Sequence, residues 1–491
     1  MKKQESLVSK DLMTVAWVLV LGAMAPLLDS TMVNIAIHSL VKDLNSNVAI
    51  VQWTITGYVL ATGIAVPFSS WLLNKFDGKN VFLAGEMLFA IGSILSALSP
   101  NINFLIAARL LQGFAGGLIM PLLTTLLVQS TGPEIMGRMM ATVGLPIILG
   151  PLIGPVIGGI IVKYLSWQWI FWINVPIAIM AILLIIWKMP NYPAQNKKAR
   201  MDFIGITLLA AASTTMIYGI VKASKDASFT NRTTLFCLGI GFILMLLYIV
   251  WSYFYQDKAV LPLNLFKHRS FNGSVIGLFI AGTVLNGAML ILPLFFQDVR
   301  HMSVMMAGLA LIPQGAGMLV SRPLTGKLTD KIGAKYVVLS SLLVTFIGTL
   351  PFYWIGQNTA YWVIACVLFI RGIGAGGILM PLMADSYTGM TSSQIPAASI
   401  GARIVQNIGS AFGSALIATL VTMYATNKIK LFKQQLVAGK FHLTPAHTEL
   451  FVSHHLALIH LQAFQQGFLI TSIAALIIIF PTLLLTNKIK K

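Results

Sequence analysis

Two charged residues of opposite sign lie within long apolar runs, where charge is rare. Asp29 follows an apolar run that begins near residue 14, and Arg109 opens the string RLLQGFAGGLIMPL. Burial favours the neutral form of a carboxyl group and a nearby cation favours its anion, so a buried aspartate can take up and release a proton as its surroundings change. An arginine keeps its proton and can only tune such a carboxylate. We expect Asp29 and Arg109 to lie at similar depth and to form either a proton-coupling pair or a permanent structural pair.

Four further polar residues fall inside apolar runs and are candidates for lining a central cavity. They are Asn34, Glu86, Gln112 and Arg371. Glu86 lies ~10 Å inside its predicted helix at 1.5 Å per residue, so we expect its side chain to snorkel to the nearer helix end. A second carboxylate that binds substrate or protons is the alternative. Arg403 and Asp385 form a further candidate pair.

Membrane-spanning helices are the elements that must position these residues. The chain has 57% hydrophobic and 10% charged residues and a mean hydropathy of +0.84, whereas about a quarter of the residues in a soluble domain are charged. Apolar runs near or above the ~20 residues needed to cross a bilayer recur along the chain. The fourteen predicted spans cover residues 14–40, 50–73, 80–99, 102–128, 136–164, 168–188, 202–222, 233–255, 270–297, 303–322, 335–356, 359–385, 396–424 and 462–486.

The distribution of basic residues predicts the orientation in the membrane. An even number of spans leaves both termini on one side. Placing them in the cytoplasm puts 20 of the 33 Lys and Arg residues in cytoplasmic segments and 10 outside, as the positive-inside rule requires. We therefore predict a multi-pass protein of the cytoplasmic membrane, bacterial in origin. The net charge of +19 is explained by these loops and by contact with anionic lipid, without nucleic acid.

Two internal echoes indicate a duplication. The string AGGLIMPL at 115–122 returns as AGGILMPL at 375–382, and SWLLNKFDGK at 70–79 returns as GKLTDKIGAK at 326–335. Nearly equal offsets, of 260 and 256 residues, imply a repeated six-helix unit with the same orientation in both copies.

The predicted fold is therefore an all-α integral membrane protein. Six-helix bundles over 1–190 and 259–491 form a parallel repeat, and 191–258 supplies two inserted helices, fourteen in total. The segment 425–460 is predicted to be an external polar loop. Its histidines indicate a solvated loop or surface helix rather than a metal site.

Several motifs carry a family resemblance over nearly the full length of the chain. The motifs are LDSTMVNIAI (28–37), RLLQGFAGGLIMPL (109–122), GPLIGPVIGG (150–159), WQWIFWINVP (167–176) and LPLNLFKHRSF (261–271). The fifth-helix motif contains Gly150, Gly154, Pro155, Gly158 and Gly159. With these motifs the chain resembles the fourteen-helix drug:proton antiporter branch of the major facilitator superfamily, which implies a major-facilitator-type fold. The glycines of the fifth-helix motif favour a moving contact between helices over a static small-residue interface.

The resemblance also implies a conformational gate, in which the two copies differ. The first copy departs from the branch, which usually has Gly, Asp and Gly where this chain has Ser70, Asn74 and Asp77. One half has thus lost a charged latch, or Asp77 replaces it. The second copy keeps the pattern with Gly326, Asp330, Lys331 and Gly333.

The function that the resemblance implies is proton-coupled export of lipophilic drugs by alternating access, giving multidrug efflux and antibiotic resistance. Asp29 would exchange a proton for substrate and Arg109 would tune it. No phosphate-binding loop, catalytic cluster, cofactor or metal is expected, so the chain is predicted not to be an enzyme. Suitable cargo is neutral, zwitterionic or monocationic, and the protein acts as a monomer or with an adaptor protein. The alternatives are a transporter of one metabolite or lipid and a membrane receptor or scaffold without transport.

Overall fold

The computed structural model describes residues 10–131, 157–194, 201–255, 259–391, 393–437 and 445–487, together with Met139, Gly150 and Gly154. All regular structure within these residues is helical. The main helices are α1 (Lys10–Met32), α2 (Trp53–Lys75), α3 (Gly78–Ala97), α4 (Ile102–Thr131), α5 (157–164), α6 (Asn174–Lys188), α7 (Phe203–Lys225), α8 (Arg232–Phe254), α9 (Arg269–Leu294), α10 (Ile312–Ile332), α11 (Ala334–Thr349), α12 (Tyr361–Gly376), α13 (Ile395–Val437) and α14 (Pro445–Ile477). Shorter helical segments are Val33–Ala36, Ile37–Asp43, Val48–Val51, Trp169–Trp172, Leu263–Lys267, Phe295–Val299, Val304–Leu309, Leu350–Tyr353, Leu379–Asp385 and Ile479–Thr482.

Twelve helices of the described chain are long and apolar enough to cross a membrane. They correspond to twelve of the fourteen predicted spans. Of the other two, 136–164 falls largely outside the described residues, and 303–322 is occupied by Val304–Leu309 and the start of α10. The polar gate segment extends α10 to Ile332, which lowers its hydropathy. The all-helical membrane fold is confirmed, and the count of fourteen stays a prediction.

The outer surface is apolar and suits lipid rather than water. The side chains of Trp187, Phe254 and Trp362 are 71% to 72% exposed. Large contiguous apolar surfaces are rare on soluble monomers. Helices satisfy their own backbone hydrogen bonds, which hydrocarbon demands. The chain is therefore a multi-pass membrane protein.

The two halves repeat the same packing pattern. In the first half α4 packs against α2 and α3, and α1 packs against α6. In the second half α12 packs against α10 and α11, and α9 packs against α14. Helices α9 to α12 follow α1 to α4 at about the offset of the sequence echoes, and α6 and α14 are the last long helices of their halves, which is the arrangement expected of a parallel repeat. The proposed residue limits of the bundles stay a prediction.

Helix α7 touches both halves. It packs against its neighbour α8, against α2 and against α13. Val66 of α2, Ile217 of α7 and Ile404 of α13 belong to one buried hydrophobic cluster. The α7–α8 pair therefore covers one side of the boundary between the halves.

The first and last helices share one end of the bundle, called here the terminal end. Val15, near the start of α1, lies in a hydrophobic cluster with Tyr387. Asp385 lies two residues before Tyr387 in the same region. Its carboxylate accepts a hydrogen bond from the backbone N–H of Thr486, near the end of the described chain, at 3.2 Å. The start and the end of the described chain thus lie together.

The halves are in direct contact at the terminal end. The hydrophobic cluster there includes Leu126 of α4 from the first half and Phe271 of α9 and Ala398 of α13 from the second. The hydroxyl groups of Thr124 and Ser399 lie 2.7 Å apart across the same boundary. This end of the bundle is closed.

The segment 425–460, predicted as a loop, is largely helical. Helix α13 continues to Val437 and α14 begins at Pro445. No glycine or proline interrupts the chain between Gly413 and Gly439, so the helix extends past its apolar part. Proline is favoured in the first turn of a helix, where its missing N–H costs nothing. Within the described residues no three His, Cys, Asp or Glu side chains are grouped as metal ligands.

Candidate functional site

Asp29 and Arg109 meet in the interior of the first half. Asp29 is 0% exposed and Arg109 is 1% exposed. Nη1 of Arg109 donates a hydrogen bond to Oδ2 of Asp29. The other ion pair of the described residues, Lys222 with Asp226, is partly exposed. The expected meeting of Asp29 and Arg109 is confirmed, whereas its role in proton coupling stays a prediction.

Two amide side chains complete the environment of Asp29. Nδ2 of Asn174 donates to Oδ1 of Asp29 at 2.9 Å, and Nε2 of Gln112 approaches the same oxygen at 3.3 Å. Gln112 also accepts from Nη1 of Arg109 at 2.7 Å and donates to Oγ of Ser93 at 2.8 Å. Donors aimed at a carboxylate stabilise the anion. The ion pair is therefore part of a network that joins α1, α3, α4 and α6.

The guanidinium of Arg109 is held on two further sides. Its Nε donates to the backbone carbonyl of Thr54 at 3.0 Å. Its carbon Cζ lies 4.2 Å from the ring centroid of Tyr58 and 5.7 Å from that of Phe171. A planar guanidinium can donate in its plane and stack on aromatic faces at the same time, which an ammonium group cannot do.

Two adjoining cavities lie between the halves at the end opposite the terminal end. Their volumes are ≈ 300 and ≈ 540 Å³, and they share Val59, Ala411 and Ser414 as walls. Helices α2, α7 and α13 contribute to both, and α9 adds to the smaller one. The polar lining of the smaller cavity is Tyr58, Thr62, Asn286, Asn407, Ser410 and Ser414. None of the residues described along its wall is charged.

Tyr58 joins the smaller cavity to the buried ion pair. Its side chain forms part of the cavity wall, and its ring packs against Arg109. Its hydroxyl also donates to the backbone carbonyl of Pro26 in α1 at 3.4 Å. A ligand that moves Tyr58 therefore acts directly on Arg109.

The structure places none of the four predicted cavity residues in the cavity walls. Asn34 is exposed in the turn Val33–Ala36, and Gln112 belongs to the ion-pair network. Arg371 is buried and donates from Nη1 to Oε1 of Gln314 at 2.6 Å. Asn286 and Asn407 line the smaller cavity instead. Both are polar residues within predicted spans, so a search for polar residues in the apolar runs could have identified them from the sequence.

Glu86 does not snorkel to a helix end. It is 0% exposed, and neither of its carboxylate oxygens has a hydrogen-bond partner among the described residues. A methyl group added at Gly22 of α1 would collide with Oε1 of Glu86. The expectation was wrong because this glycine leaves room for the carboxyl group between α1 and α3.

The second half contains buried arginines without a matching set of carboxylates. Arg403 donates to Gln406 at 3.1 Å and does not pair with Asp385, whose carboxylate binds Thr486. Arg322, which the sequence suggested to lie at the end of a span, is 2% exposed in α10. No ion pair of Arg322, Arg371 or Arg403 occurs in the part of the chain that the structure describes.

The gate residues lie at the terminal end of each half. Asp77 occupies the N-cap position of α3, although its side chain makes no capping hydrogen bond. The corresponding position in the second half is Gly333, which caps α11 with φ of 87°. This left-handed conformation favours glycine. Asp330 and the exposed Lys331 lie in the last turn of α10, whereas Gly326 is buried and Asn74 is half-buried.

The glycine motif packs against α1. Methyl groups added at Gly150 and Gly154 would collide with Leu27 and Thr31, and one at Gly158 would lie 3.2 Å from the carbonyl oxygen of Met32. A methyl group at Gly159 would meet nothing within 4 Å. Pro155 lies outside the described residues. Three glycines of the motif thus permit close approach of α1, as a small-residue helix interface does.

Sequence comparison identifies the family. The Major Facilitator Superfamily profile matches residues 19–414. The chain belongs to this superfamily. It is 31% identical over 437 residues to the multidrug resistance protein B homologue of Mycobacterium tuberculosis, covering 88% of this chain and 80% of that protein. It is 28% identical over 408 residues to the lincomycin resistance protein LmrB of Bacillus subtilis, covering 82% and 84%.

Solved structures agree on the fold. The proton:xylose symporter XylE superposes with a TM-score of 0.59 at 14% identity, covering 95% of both chains. The human organic anion transporter MFSD10 gives a TM-score of 0.58 at 14% identity, covering 94% of this chain and 99% of that one. The resemblance to drug-efflux members of the superfamily is confirmed, and the family places this protein among transporters rather than enzymes.

Proposed function

We propose that this protein is a proton-coupled antiporter that exports lipophilic compounds across the bacterial cytoplasmic membrane, with both termini in the cytoplasm. The relatives named for multidrug and lincomycin resistance support drug export. In the proposed orientation the closed terminal end faces the cytoplasm and the cavities face outward. The present conformation is then the outward-facing state of an alternating-access cycle.

The contact of Tyr58 with both the cavity and Arg109 carries this proposal. Coupling requires that substrate and proton bias the same conformational equilibrium. Substrate in the smaller cavity touches Tyr58, and a proton on Asp29 removes the anion that holds Arg109. Both events therefore change the position of one guanidinium.

The electrostatic effect is comparable in size to the free energy of a conformational shift. Removing one partner of a buried ion pair costs about 3–5 kcal/mol. A shift of a two-state equilibrium from 1:99 to 99:1 needs about 5.5 kcal/mol. Protonation of Asp29 from the external side would thus supply most of the free energy that turns the transporter inward.

The cavity chemistry favours uncharged or weakly charged cargo. Amide and hydroxyl groups of Asn286, Asn407 and Ser410 line the smaller cavity together with apolar side chains. Trp53 and Tyr218, stacked with ring centroids 6.2 Å apart, line the larger one together with Lys222 and Lys225, of which Lys222 pairs with Asp226. The uncharged wall of the smaller cavity suits neutral, zwitterionic or monocationic lipophilic compounds. The proposed unit is a monomer, because one chain contains both the cavity and the ion pair.

The test is Asp29→Asn in purified vesicles with ethidium and lincomycin as probes. We expect the variant to fold and to exchange probe by counterflow, but to lose probe accumulation driven by a pH gradient, since an amide cannot carry a proton. The control is Asp298→Asn, which removes an exposed carboxylate outside the network. Proton-driven accumulation at the wild-type rate in Asp29→Asn would exclude Asp29 from the mechanism.

A further inference from the structure

Glu86 is a buried carboxyl group that the ion-pair network does not use. It lies on α3 inside a span, it is 0% exposed, and in the part of the chain that the structure describes neither of its oxygens has a hydrogen-bond partner. Ionisable residues inside a membrane are costly and usually serve function. A carboxyl group in this position requires a physical explanation.

Among the described residues, no counter-charge contacts Glu86. Glu86 faces Gly22 of α1 and lies beside Phe82 of its own helix, since a methyl group at Gly22 would lie 2.9 Å from Phe82 and would collide with Glu86. No hydrogen bond or ion pair joins Glu86 to a titratable group in the described chain. The charged or titratable groups on α3 and on the helices around it are Lys79, Lys10, Asp11, Asp29, Tyr58, Lys75, Arg109 and Lys188.

An anion cannot be stable in this environment, so Glu86 carries a proton in the present conformation. A buried charge without a partner neutralises itself by binding a proton.

Glu86 lies between the ion pair and the terminal end. Gly22 precedes Asp29 by seven residues on α1, and Glu86 precedes Ser93 by seven residues on α3. Seven residues are two helical turns on the same face, about 10 Å. Ser93 bonds Gln112, which bonds Asp29. Both helices start at the terminal end, so Glu86 is displaced from the network towards that end.

We propose that Glu86 is a second proton-binding carboxyl that relays the proton of Asp29 to the terminal end; this rests on the proposed function. Here Asp29 is the anion and Glu86 is protonated. After Asp29 takes up an external proton and the terminal end opens, the O–H bond of Glu86 breaks and its proton passes to cytoplasmic water. The proton of Asp29 then transfers through water to Glu86, and Asp29 pairs again with Arg109. One proton enters and one leaves in each cycle.

The first test measures the protonation of Glu86 directly, without any substrate. Infrared spectra of the purified protein at neutral pH should contain a protonated-carboxyl band that Glu86→Gln lacks and that Asp29→Asn retains. Identical carboxyl bands in wild type and Glu86→Gln would overturn the proposal. This readout does not depend on transport, so it remains valid if proton-coupled export fails.

The second test separates a relay from a structural role. Glutamine keeps the shape of Glu86 but cannot relay a proton, whereas aspartate is shorter but can. We expect Glu86→Gln to lower pH-driven ethidium accumulation at least tenfold with counterflow preserved, and Glu86→Asp to restore part of it. If Glu86→Gln is more active than Glu86→Asp, the role of Glu86 is in packing and the relay is refuted. If Asp29→Asn loses proton-driven accumulation and Glu86→Gln keeps it in full, the relay is refuted but the proposed function is not. If the wild-type protein shows no proton-driven accumulation, the proposed function itself is refuted.

Discussion

The contact between the glycine motif and α1 can be tested with alanine substitutions at two glycines of the motif. In Gly154→Ala the new methyl group would collide with Oγ1 of Thr31 and lie 3.2 Å from the carbonyl oxygen of Leu28. In Gly159→Ala it would meet nothing within 4 Å. Alanine is favoured over glycine inside a helix by roughly 0.5–1 kcal/mol in both variants. Their difference is therefore the cost of overpacking alone.

Overpacking of a well-packed interior costs about 1–3 kcal/mol. A difference of this size changes an equilibrium roughly 5- to 150-fold. We expect Gly159→Ala to match or exceed the wild-type free energy of unfolding, and Gly154→Ala to fall below Gly159→Ala by that amount. Denaturant unfolding of the three proteins in detergent micelles measures it. Equal midpoints and slopes for the two variants would refute the close contact with Thr31.

Two further predictions concern the gate and the topology. Asp330→Asn should shift the population towards the inward-open state and impair export strongly. Asp77→Asn should do so weakly, because Asp77 makes no capping hydrogen bond. The accessibility of single cysteines at the two mouths of the transporter measures both shifts, and an equal or larger effect of Asp77→Asn would contradict the prediction. Reporter fusions after residue 440 should indicate an external position and fusions at residue 195 a cytoplasmic one, and the reverse pattern would overturn the orientation.

The helices and the ion pair were predictable because their signals are local. Each apolar run of sufficient length must be a helix in the membrane, and twelve of the predicted spans have counterparts among the described residues. Asp29 and Arg109 stood out because charge is rare in such runs. Their meeting followed from depth along two helices that cross in opposite directions.

The cavity was not predictable by the same reasoning. Depth along a helix does not say which neighbour a side chain faces, and that direction depends on packing between the halves. Asn286 lines the cavity because α9 faces the boundary, whereas Arg371 faces Gln314 within its own half. Glu86 shows the same limit, since only the missing side chain of Gly22 reveals its pocket.

The two halves differ in the partners of their buried arginines. Arg109 donates from Nε to the backbone carbonyl of Thr54 on α2, and Arg371 donates from Nη1 to the side chain of Gln314 on α10. Only Arg109 has a carboxylate partner in the described chain. An arginine bound to an amide keeps its charge through any change of pH, because neither group exchanges a proton near neutrality. The Arg371–Gln314 pair is therefore unaffected by a proton near neutral pH. The proposed protonation of Asp29 changes the Asp29–Arg109 pair instead, and Tyr58 would transmit that change to the wall of the smaller cavity.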